Sequence, residues 1–166
     1  MFKSSSHLYD LDLFIFLPEI RIHIATGGAK IPQDLLNLTK NNLSIYNHFN
    51  QEKYFNTQIE FNPRLEEIVY ANEREKNPEF NSDIYLESFS KFARQGFYSF
   101  DKTNISNAAN KKFHLVSYPA NLKDSENEMF RDLSENALVL NNRKALIDSI
   151  NDVIASKLFN PITLVY

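Results

Sequence analysis

Between Glu19 and Leu36, EIRIHIATGGAKIPQDLL, the chain changes its hydrophobic period within a few residues. Ile20, Ile22 and Ile24 alternate with Arg21 and His23, the period-two pattern of a strand with one buried and one polar face. Arg21 and His23 are therefore expected together on the wet side. Thr26-Gly27-Gly28 breaks the run, because adjacent glycines reach positive φ without steric cost. Pro32 suits the first turn of a helix and Asp34 suits its positive end. A strand, a glycine corner and a helix start are predicted in succession.

The same reading extends along the chain. Leu8 to Leu17 predicts a strand with Leu11, Leu13 and Ile15 on one side and Asp10, Asp12 and Phe14 on the other, turning at Pro18-Glu19 into a hairpin with the isoleucine strand. Asp10 and Asp12 share a face and could pair, although simple solvation on the wet side of the sheet is the favoured reading. A helix follows to about Lys40, and Phe55 to Phe61 alternate as a strand. Asn62-Pro63 then supplies a cap and a first-turn proline for a helix carrying Leu65, Ile68 and Val69. Asn81 or Ser82 caps the next helix, with Tyr85, Leu86, Phe89, Phe92 and Ala93 as its apolar stripe and Gly96 as its terminator. Phe97 to Thr103 and Lys112 to Tyr118 predict an open hairpin. Arg143 to Phe159 is the clearest amphipathic helix, and ITLVY closes as a strand. The predicted class is α+β: a mostly antiparallel sheet, hairpins near both ends, and three to four helices packed on one face.

Composition narrows this further. A chain of 166 residues can bury a proper core, so residues 1–166 are expected to form a single globular domain with residues 1–7 flexible. Fourteen Phe and eight Tyr predict an aromatic core. A net charge of −3 provides no global field for gathering nucleic acid or an anionic membrane. The absence of cysteine removes disulfides, thiolate metal sites and a cysteine nucleophile. The first twenty residues lack the long apolar run of a secretory signal or a membrane span, so a soluble, cytoplasmic protein is expected.

Three groups of residues could carry chemistry. The corner at Gly27 and Gly28, with Lys30 nearby, could hold an anion on outward backbone N–H groups. It matches neither the P-loop nor the dinucleotide-binding pattern, and a corner that needs glycine for its backbone alone explains it as well. Arg94, Tyr98, Phe100 and Lys102 alternate aromatic and basic side chains, as a platform for single-stranded nucleic acid or a partner surface would, although core packing also favours aromatics there. His23 and His114 with Lys30 could serve a metal-independent ribonuclease or other phosphate-handling enzyme as proton acceptor, proton donor and cation. No metal motif and no GxSxG element occurs, and neither a metal nor a cofactor is expected. The leading expectation is a noncatalytic recognition or assembly module acting through protein contacts with a partner or a second copy, because buried aromatics abound while catalytic motifs are missing. The phosphate-handling enzyme and the nucleic-acid binder are the alternatives, and no membrane partner is expected.

Overall fold

Two alternating apolar runs meet as the expected hairpin. β1, Asp12–Phe16, and β2, Arg21–Ala25, pair antiparallel with Leu13 opposite Ile24 and Phe14 opposite His23. The computed structural model describes residues 11–16, 20–28, 47, 58–107, 112–120 and 162–163. The predicted helices after Pro32 and from Arg143 to Phe159 lie outside the described residues, as do Asp10, Lys30 and residues 1–7.

β3, Ile59–Phe61, ends at Asn62, whose buried side chain does two jobs. Its Oδ1 accepts from the Arg64 amide at 2.9 Å, and its Nδ2 donates to the Leu115 carbonyl at 2.7 Å, so it closes the turn before the helix and ties that turn to the sheet. A π-helical turn, Glu66–Tyr70, then runs into α1, Ala71–Lys76. α2, Ser82–Ala93, begins at Asn81, whose side chain accepts from the Asp83 and Ile84 amides. Gly96 follows it with φ of +89°, a conformation that glycine adopts without strain. Phe89, Phe92 and Ala93 recur at helical spacing and are buried.

β4, Phe97–Lys102, and β5, Lys112–Pro119, form the expected antiparallel hairpin with an irregularity between Ser99 and Phe100. The short β6, Ile162–Thr163, pairs with one end of β5, and β3 pairs with the other. The strand order is β1-β2-β4-β5-β3, with β6 also on β5. β2 and β4 are parallel, and the other strand pairings are antiparallel. The architecture is thus α+β with a mixed sheet.

Two expectations need correction. The described residues contain two helical segments, not three to four, because the other amphipathic tracts fall outside them. Arg21 and His23 do not face water: they are 3% and 1% exposed. β2 lies between β1 and β4, and α2 covers this face, setting Phe92 against the His23 ring at 4.1 Å between centroids. A central strand covered on both sides needs no wet face. The opposite face buries Leu13, Ile15, Ile22, Ile24, Phe100 and Leu115. Leu65, Val69, Phe89 and Val116 join the helical segments to the sheet.

Candidate functional site

The side chains of the helix-covered face are unusually polar for a core, and the sheet register explains how they meet. Phe14 pairs with His23 across β1 and β2, and His23 pairs with Ser99 across β2 and β4, so all three share one face. Asp12 lies two residues before Phe14 on that same face. The result is a linear relay: His23 Nε2 lies 2.7 Å from Asp12 Oδ1, and His23 Nδ1 lies 2.6 Å from Ser99 Oγ. With the imidazole neutral, Nε2–H donates to the carboxylate and Ser99 donates to Nδ1. The order Ser, His, Asp is that of a hydrolytic triad. Its access is not. Ser99 is 0% exposed, and the rings of Phe14, Phe89 and Phe92 crowd the imidazole.

His114 heads a second relay on the same face. Its Nε2 lies 3.0 Å from the Tyr85 hydroxyl, and its Nδ1 lies 3.3 Å from Thr103 Oγ1. Tyr85 donates to Asp101 Oδ2 at 2.8 Å, which leaves its oxygen to accept from Nε2–H and leaves Nδ1 to accept from Thr103. One proton arrangement therefore satisfies the whole chain. Burial drives His114 down to a pKa of about 4, while burial and the neighbouring Asp101 charge push the Tyr85 hydroxyl well above its ordinary range. Both groups are neutral at pH 7.

The two histidines do not share a cleft. β4 stands between their strands, about 10 Å of sheet at ordinary strand spacing. Each side chain is consumed by its own relay. Lys30, the expected third member, lies outside the described residues.

At the carboxyl ends of the parallel strands β2 and β4 the surface becomes concave. A pocket of about 170 Å³ opens there, floored by Tyr85, Asp101 and Lys102 and walled by Ile68, Phe80 and Ile105, with Glu73 and Lys76 at its edge. Ile105 is half exposed at this rim. The glycine corner adjoins it. Gly27 and Gly28 have φ of +50° and +69°, and a Cβ at Gly27 would lie 2.9 Å from Ile105 Cγ2, so the corner is packed closely against the loop after β4. Thr26 braces it by exchanging hydrogen bonds with the Leu11 backbone.

The predicted aromatic and basic surface is divided by burial. Tyr98, Phe100 and Lys102 do share a face, but Phe100 and Lys102 are 1% and 2% exposed. Tyr98 is half-buried and stacks on Tyr118, with ring planes 11° apart. Arg94 is exposed in the turn after α2. No group of three or more His, Asp or Glu residues among those described is placed to hold a metal ion. No helix among them is long and apolar enough to cross a membrane.

Asp12 stands out in the sequence beside Asp10, whereas Tyr85, Ser99, Asp101 and Thr103 are partners that the sequence alone does not assign to the histidines. The usable signal was the strand period, which puts Ser99 and Asp101 on one side of β4. Ser99 meets His23 only through the parallel β2–β4 pairing, whereas Asp101 lies opposite His114 in the β4–β5 register. No protein family matches this chain, and no curated protein or solved structure matches it either.

Proposed function

We propose that this chain is a noncatalytic recognition module that meets a protein partner at the carboxyl ends of β2 and β4. The observation that carries this reading is the closure of both relays: Ser99, His23, Tyr85 and His114 spend their hydrogen-bonding capacity on one another and on Asp12, Asp101 and Thr103. A nucleophile or general base needs a reactive atom within reach of substrate. Ser99, His23 and His114 offer none at their exposures of 0%, 1% and 1%. Their chemistry specifies strand register instead, since one relay closes only when β1, β2 and β4 are correctly placed and the other only when α2, β4 and β5 are.

The recognising surface is the pocket mouth. Ile105, half exposed, stands beside Phe80 and Ile68, and the Glu73–Lys76 pair adds polar edges. An apolar centre with a charged rim is the usual anatomy of a protein contact. Backbone amide spectra recorded during titration with a random-peptide pool should show saturable shifts centred on Ile105 and Phe80. Turnover of RNA, phosphate esters or carboxylic esters that disappears in both His23→Gln and His114→Gln, with folding intact, would overturn the noncatalytic reading.

A further inference from the structure

We propose that the Gly27–Gly28 corner and the Lys102 ammonium form a binding site for a small oxyanion, a phosphate or carboxylate group. This goes beyond the recognition reading and does not rest on it. Lys102 is 2% exposed, and its Nζ is buried with no hydrogen-bond partner. Buried charge without a partner is among the costliest features a fold can carry. Burial lowers the pKa of this amine. A bound anion relieves the same pressure by pairing with the charged form.

The lysine stem lies across the corner. A Cβ placed on Gly27 would sit 3.3 Å from Lys102 Cβ and 3.6 Å from its Cδ. Two bonds further on, Nζ lies within about 6 Å of that point. The amides of Gly27 and Gly28 donate to no backbone carbonyl among the described residues. Gly28 faces open space, with no atom within 4 Å of where its Cβ would stand. Amides in left-handed turn geometry beside a cation make an anion cradle.

The nearby carboxylates are already engaged. Glu73 is paired with Lys76, and Asp101 accepts from Tyr85 and from the Lys102 amide. Neither supplies a hydrogen bond to Lys102 Nζ. Among the described residues, Lys102 is therefore the cation placed against the corner.

The test is a titration of the full chain with inorganic phosphate and, separately, with sodium acetate, each matched to sodium chloride for ionic strength and followed by amide spectra. Saturable shifts of Gly27 and Gly28 are expected, and the anion that saturates first names the group recognised. Lys102→Met should weaken that binding about tenfold or more, the loss expected for a hydrogen bond to a charged group, whereas Lys76→Met should leave it unchanged. In case Lys102→Met fails to fold, the wild-type Lys102 Cε resonance supplies the second readout and should move with the same saturation curve. Absence of saturable shifts for both anions, equal binding by Lys102→Met, or a motionless Cε resonance would overturn the proposal.

Discussion

His114 and Lys102 are two basic side chains on neighbouring strands, almost equally buried at 1% and 2% exposure, and the fold treats them in opposite ways. His114 is surrounded by neutral hydroxyls that complete both ring nitrogens, so its uncharged form is fully satisfied. Lys102 keeps three donors on a nitrogen with no partner. Burial alone therefore does not mark a site. A satisfied buried group is architecture, whereas an unsatisfied one packed against a glycine corner is a place where a ligand can complete the structure.

That contrast can be broken most forcefully with acid. Folded His114 takes up its proton only near pH 4, whereas the unfolded chain does so near the ordinary value of 6.5. The unfolded state binds more protons throughout that interval, so stability falls as pH drops from about 6.5 to about 4. The loss attributable to His114 is about 3 kcal/mol. Denaturant unfolding at a series of pH values should show a slope that flattens in His114→Gln. Tyr85→Phe comes next. It strips the hydroxyl shared by Asp101 and His114 and should cost about 2 kcal/mol at pH 7 in the same assay.

Lys102→Met sharpens the comparison with the opposite sign. Replacing an unpartnered buried ammonium by an apolar side chain of similar length should raise stability by about 1 kcal/mol, while weakening the stabilisation by added phosphate. Thermal unfolding with and without phosphate checks both halves. The smallest effect belongs to Ile105→Ser at the pocket rim. It should change stability by within about 0.5 kcal/mol yet remove the peptide-induced amide shifts.

The strands, the glycine corner and α2 were legible because their signals are local. Ile20, Ile22 and Ile24 alternate with polar residues, Gly27 and Gly28 have the positive φ that adjacent glycines suggest, and Asn81 and Gly96 stand at the two ends of α2. The environment of the polar residues was not legible. Arg21 and His23 read as a wet face because period two says which side chains point together and nothing about what covers them. The covering depended on α2 crossing that face and on β2 pairing with β4, seventy-odd residues away in sequence. The site shows the same limit: the corner is visible in the sequence, whereas the approach of Lys102 to it arises from the parallel pairing of β2 with β4.

Nitrogen-15 spectra of the imidazole rings, recorded across an acid titration, examine the closed relays most directly. The account predicts that His114 stays a neutral Nε2–H tautomer at pH 7 and begins to protonate only near pH 4. A His114 ring that titrates near 6.5, or one that carries its proton on Nδ1 at neutral pH, would contradict the relay and with it the assignment of this polar face to structure.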